Sequence, residues 1–232
     1  MKRASSRYRG YRFPAEIISY AVWVYHRFCM SLRDVEDLLA QRGNLVSYET
    51  VRAWCRKFGA GYVKNLRRRQ GRLGDSWHLD EVFIRINGQQ HYLWRAVDQD
   101  GDVIDILVQP RRDQRAAERF FRRLLRSQGQ KPFRIITDKL RSYPSAVREV
   151  LRGVNHATER YANNRVEVSH QATRQRERYM RRFKSVGQAQ RFLSLHGVIQ
   201  NLFRVGRHLL SAANYRWLRS RSFAIWKSVS AA

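Results

Sequence analysis

The apolar and polar positions of this chain change period near its middle third. From Phe13-Pro14, Ile17, Ile18, Ala21, Val22, Val24 and Tyr25 recur at helical spacing to about Phe28. Ser31 then offers an N-cap, with Asp34 three residues on as in a capping box. Leu32, Val35, Leu38 and Leu39 form the buried face of this second helix, and Gly43 ends it. Ser47 caps a third helix that turns Tyr48, Val51, Cys55 and Phe58 inward and Arg52, Arg56 and Lys57 outward. Gly59 and Gly61 are expected to stop it, and the basic stretch 64–72 reads as a linker.

From Ser76 the pattern alternates. His78, Asp80, Val82, Ile84 and Ile86 share one face of a strand, and Trp77, Leu79, Glu81, Phe83 and Arg85 share the other. Asn87-Gly88 marks a two-residue hairpin into a second strand, about 90–97. Asp100-Gly101 turns the chain into a third, 103–108. A basic amphipathic helix at about 112–126 precedes a short apolar strand, 133–137, expected to run parallel to the first. A helix near 142–151 and a short segment at 154–158 follow. Residues 163–183 have a polar helical pattern, and a long helix starts near Val186. The tail carries Trp217, Phe223 and Trp226 among basic residues, and its pattern assigns it to no partner.

Three short helices with a basic outer face on the last resemble a helix-turn-helix module, whose final helix enters the major groove. The elements after it follow the order of the ribonuclease-H-like fold. The expected class is therefore α/β: a mixed-sheet catalytic domain at 75–185, an all-helical DNA-binding domain with its arm and linker at 1–70, and a helical, aromatic tail at 186–232.

Charge narrows the partners. The 232 residues carry a formal net charge of +27, spread along the chain. Such a protein repels itself unless it meets a polyanion, and neutralised phosphates release counterions. A membrane surface would instead favour one basic amphipathic helix. Double-stranded DNA is the expected partner. No apolar run reaches membrane-spanning length, and the basic N-terminus lacks the apolar stretch of a signal peptide. Cys29 and Cys55 lie far apart in helical patterns with no CxxC pair, which speaks for buried thiols rather than zinc. The expected location is the cytoplasm, at the nucleoid.

Two acids then stand out. Asp138 follows the apolar run Phe133–Thr137, at the strand end where ligands collect in open α/β sheets. Asp80 interrupts an apolar strand face, an expensive place for a carboxylate without a cation or donors. If the first and fourth strands are neighbours, the two meet at one edge of the sheet. Glu167, from a following helix, is the candidate third acid. Such hard oxygen ligands select Mg²⁺ or Mn²⁺. Taken singly, Asp80 also reads as an ion-pair partner and Asp138 as a helix cap.

The motifs Trp77-His78-Leu79-Asp80-Glu81, Tyr92-Leu93-Trp94-Arg95-Ala96-Val97-Asp98, Thr137-Asp138-Lys139, Asn163-Asn164-Arg165-Val166-Glu167-Val168-Ser169-His170 and Arg181-Arg182-Phe183-Lys184-Ser185 carry a resemblance over roughly residues 13–205. The chain resembles DDE transposases of the retroviral-integrase superfamily, and more narrowly those of insertion-sequence family six. That resemblance implies a metal-dependent enzyme that nicks element ends and joins the 3′-hydroxyl to target DNA, as a homodimer or higher oligomer. It makes Asp80, Asp138 and Glu167 the triad and Arg174 the basic residue seven places after the Glu. His170 lies on the same helical side as Glu167 and is expected as a further DNA contact. The stretch between Asp138 and Glu167 is shorter than the family leads one to expect, and Glu177 is the rival third acid. The alternative function is a non-catalytic DNA-binding regulator that uses the helical head alone.

Overall fold

The computed structural model describes residues 6–69, 74–138, 140–158, 183–205 and 210–231. These form two units, one of residues 71–194 and one that joins 1–70 to 195–232. The three-part division expected from the pattern therefore changes. The long helix Val186–Phe203 contributes to the sheet unit up to Ser194, and the rest of the tail groups with the N-terminal helices.

In the sheet unit five strands are ordered β3-β2-β1-β4-β5. They are β1 (Ser76–Ile86), β2 (Gln89–Val97), β3 (Val103–Gln109), β4 (Arg134–Thr137) and β5 (Asn155–Ala157). The first three form an antiparallel meander, while β4 joins β1 and β5 joins β4 in parallel. This is the mixed sheet of the ribonuclease-H-like fold. Asn87 (φ 49°) and Gly88 (φ 79°) make the hairpin because both central residues of its turn need positive φ. The next turn is tied by Asp98, whose Oδ1 accepts the N–H groups of Asp100 at 3.0 Å and Asp102 at 2.8 Å.

In the same unit the helix Gln114–Gln128 starts two residues later than the pattern suggests, because Asp113 caps it by accepting the Ala116 N–H at 2.8 Å. Its apolar stripe (Ala117, Phe120, Phe121, Leu124) packs with the helix Ser142–Val150 on the face of the sheet that carries Trp77, Leu79 and Trp94. The outer strand β3 is covered by a side chain. Gln190 accepts the Val108 N–H at 2.9 Å and donates to the Ile106 carbonyl at 3.1 Å, as a neighbouring strand would.

The helical unit contains α1 (Ala15–Arg27), α2 (Leu32–Ala40) and α3 (Tyr48–Arg69). In chain order the sheet unit's two helices are then α4 and α5, Val186–Phe203 is α6, and Ala212–Ala231 is α7. The capping box at Ser31 and Asp34 is present in both directions. Gly43 closes α2 as a Schellman motif: its own N–H returns to Ala40 and that of Asn44 to Leu39.

One expectation fails here. α3 runs through Gly59 and Gly61 to Arg69, so the basic stretch expected as a linker is largely its last turns. Gly59 permits close packing rather than a stop, since a Cβ there would lie 2.9 Å from Leu195 of α6. The aromatic tail is structural. On α7, Trp226 meets the Tyr62 ring edge-on at 5.3 Å and Val229 is fully buried.

Candidate active site

Register builds the site. The parallel pairing of β1 with β4 sets Leu79 against Thr137. The next residues in each strand direction are Asp80 and Asp138, so the two acids lie side by side where the paired segment ends. Glu81 completes the group. One carboxylate oxygen from each of Asp80, Glu81 and Asp138 can be chosen so that all three lie within 4.8 Å of one another.

Glu81 is the residue that pattern reasoning did not select. Its side chain is 0% exposed. One oxygen accepts the Tyr143 hydroxyl at 2.5 Å, and the other accepts Nε of Arg112. Burial raises the Glu81 carboxyl to about 7, with the charges of Asp138 and Asp80 adding to the rise and Tyr143 and Arg112 opposing it. Burial pulls the Arg112 guanidinium down, but Glu81, its hydrogen bond and Asp138 outweigh this and leave it raised. Tyr143 is wholly buried, and its hydroxyl is pushed well up by that burial and by Glu81. The signal was available in part: Glu81 shares a strand face with Trp77 and Leu79, so the burial argument used for Asp80 applies to it with more force. Nothing local in the sequence pointed to Arg112 or Tyr143, which reach the site from other elements.

Asp138 is partly exposed, with its side chain at 38%. Its Oδ1 accepts the Leu140 N–H at 3.0 Å, and its Oδ2 lies 3.6 Å from Nη2 of Arg112. Burial raises its carboxyl, aided by the Asp80 charge, while the Leu140 N–H and Arg112 draw it back. The backbone there is also held. Thr137 Oγ1 donates to the Asp138 carbonyl at 2.9 Å, so its contact with His156 Nε2 at 2.8 Å needs the proton on the imidazole. Burial pulls the His156 pKa down.

The donor set fits a divalent cation. It is all carboxylate, clustered, and partly open to solvent at Asp80 and Asp138. Glu167, its rival Glu177, His170 and Arg174 lie outside the described residues.

In the helical unit, Arg56 and Lys57 are exposed on α3. Arg52 is engaged locally: it pairs with Glu49 at 2.7 Å and lies over the Tyr48 ring at 5.4 Å, which Arg33 also approaches at 4.9 Å.

Comparison with known proteins gives this arrangement a class. Residues 74–206 match the family model of a DDE domain of the IS240 transposase type. The chain is 30% identical over 208 residues to the transposase for insertion sequence-like element IS431mec of Staphylococcus aureus strain Mu50, covering 88% of this chain and 91% of that one. The same figures hold for the transposase for insertion sequence element IS257 in transposon Tn4003, also from Staphylococcus aureus. This chain belongs to that family of insertion-sequence DDE transposases. Among solved structures it is similar to the HTLV-2 integrase catalytic core domain in complex with magnesium, at TM-score 0.44 and 15% identity over 64% of this chain and 97% of that one. It is also similar to the catalytic core domain of BIV integrase, at TM-score 0.41 and 16% identity over 65% of this chain and 98% of that one. Among the described residues, no helix is long and apolar enough to cross a membrane.

Proposed function

We propose that this transposase cuts phosphodiester bonds at the ends of its insertion sequence and joins the freed 3′-hydroxyl to target DNA by transesterification. The observation that carries this reading is the carboxylate cluster at the parallel β1–β4 junction. Asp80 and Asp138 would hold Mg²⁺ or Mn²⁺ together with Glu167. Such an ion activates the attacking oxygen and neutralises charge on the leaving one. The chain supplies position: Leu140 and Thr137 fix Asp138, while Glu81 and Tyr143 fix the base of the cluster. Arg52, Arg56 and Lys57 on α3 are the DNA contacts of the helical unit, with His170 and Arg174 proposed beside the site. The chain works as a homodimer or higher oligomer on double-stranded DNA, bringing element ends and target together in the cytoplasm at the nucleoid.

The test is strand transfer with labelled DNA from the element's own termini and Mg²⁺. Asp80→Asn, Asp138→Asn and Glu167→Gln should each abolish the product while DNA binding persists, and Glu177→Gln should remain active. Strand transfer by all three neutralised variants would refute the assignment. An active Glu167→Gln beside an inactive Glu177→Gln would move the third ligand.

A further inference from the structure

The Arg112 guanidinium has a fixed end and a loose end. Its Nε is bound to Glu81, a fully buried carboxylate that is itself held by the Tyr143 hydroxyl. A buried acid with two donors, one of them charged, does not leave its place readily. At the other end, Nη2 stands 3.6 Å from Asp138 Oδ2, which is charge attraction without a hydrogen bond. The Arg112 side chain is 33% exposed, so part of it is open to a ligand while Nε is bound to Glu81.

Asp138 makes the complementary point. Its Oδ1 accepts the Leu140 N–H, and Arg112 faces the other oxygen, Oδ2. A divalent cation held by Asp138 and a guanidinium beside that carboxylate would repel each other, which would weaken the loose contact first.

We propose that Arg112 is a phosphate-binding residue that stands in for the divalent cation at Asp138 and passes to a DNA phosphate when the cation binds. This rests on Asp80 and Asp138 being metal ligands. The planar guanidinium suits both roles, since it can keep one hydrogen bond to Glu81 and offer its other nitrogens to phosphate oxygens. Arg112 then couples the two ligands. Without DNA it competes with the cation; with DNA it is drawn away by phosphate, so each ligand favours the other, and by the same factor.

The experiment uses the full chain, Mn²⁺ followed by electron paramagnetic resonance, and a short blunt-ended duplex labelled with fluorescein. Variants are Arg112→Gln and, in case the unpaired buried Glu81 prevents folding, Arg112→Gln/Glu81→Gln measured against Glu81→Gln alone. Without DNA, loss of Arg112 should tighten Mn²⁺ binding roughly tenfold, the factor that corresponds to about 1.4 kcal/mol. With Mn²⁺ saturating, the slope of log duplex affinity against log salt should fall by about one unit, whereas without Mn²⁺ the slopes should agree. The mutual tightening of Mn²⁺ and duplex should vanish in the variants. Unchanged Mn²⁺ affinity, or equal slopes in the presence of Mn²⁺, overturns the role of Arg112. Asp138→Asn separates the two levels: Mn²⁺ binding that survives it overturns the metal site and this proposal together, while Mn²⁺ binding lost there but unaltered in Arg112→Gln overturns this proposal alone.

Discussion

The sheet unit and the helical unit reach closure in opposite ways. The sheet unit is continuous in sequence, and its site follows from strand register: once β1 and β4 pair in parallel, Asp80 and Asp138 must be neighbours. The helical unit is assembled from both ends of the chain. Its N-terminal helices bury Tyr62 against Trp226 of α7, and the hydroxyl of Tyr8 reaches both Tyr62 and the Ser230 carbonyl. One unit therefore concentrates chemistry in polar groups at a strand end. The other spends its buried aromatics on joining distant segments. The two should fail differently: substitutions at the strand end remove activity and leave the fold, whereas substitutions in α7 remove the fold of the helical unit.

The largest expected effect is chemical. Asp80→Asn or Asp138→Asn should reduce strand transfer by at least about a thousandfold, since ligands that act as a unit are each indispensable. Hydrogen exchange should show both units still protected. Next comes the aromatic junction. Trp226→Ala should destabilise the helical unit by about 3–5 kcal/mol, as for a buried aromatic truncated in a core. Exchange should quicken in α1, α3 and α7 while β1 and β4 keep their protection. Equal loss of protection in β1 would mean that the units do not fold separately.

Within the sheet unit, Tyr143→Phe should cost about 1–3 kcal/mol, because it strips one donor from a buried acid. Chemical denaturation would measure it, and a neutral result would mean that Glu81 is protonated or solvated in another way. In the helical unit, Arg56→Ala and Lys57→Ala should leave stability unchanged and each lower the salt slope of DNA binding by about one unit, if each contacts one phosphate. Binding isotherms at several salt concentrations would show this. An unchanged slope would leave that side chain as part of a solvated face.

The smallest expected effect is acid sensitivity at His156. Its folded pKa lies below the ordinary 6.5 because of burial. The unfolded chain therefore takes up the proton first as pH falls, and stability drops from about 6.5 down to the lowered folded value, then levels off. His156→Gln should flatten that portion of the stability curve.

Much of the sheet unit was legible because period two and period 3.6 are distinct and its turns carry their own chemistry, Asn87-Gly88 above all. The pairing of Asp80 with Asp138 was legible for the same reason, since it needs only the strand order. The Glu81–Arg112–Tyr143 group was not, because it joins β1, the segment before α4 and α5 through contacts that no local pattern encodes. The length of α3 was misread for a related reason. Gly59 looks like a helix terminator until Leu195, far along the chain, is seen to occupy the space a side chain would fill. The tail was unplaceable for the same cause, since its partners include residues of the first 70 such as Trp23 and Tyr62.

Asp80 and Asp138 are proposed to bind the divalent cation directly. Exchanging each for cysteine tests it, because a thiolate disfavours Mg²⁺ and accepts softer Mn²⁺ or Cd²⁺. Strand transfer by Asp80→Cys and Asp138→Cys should be absent in Mg²⁺ and return in the softer ion, while the unaltered chain works in Mg²⁺. Activity of both cysteine variants in Mg²⁺ at the level of the unaltered chain would rule out direct binding of the cation by these two residues.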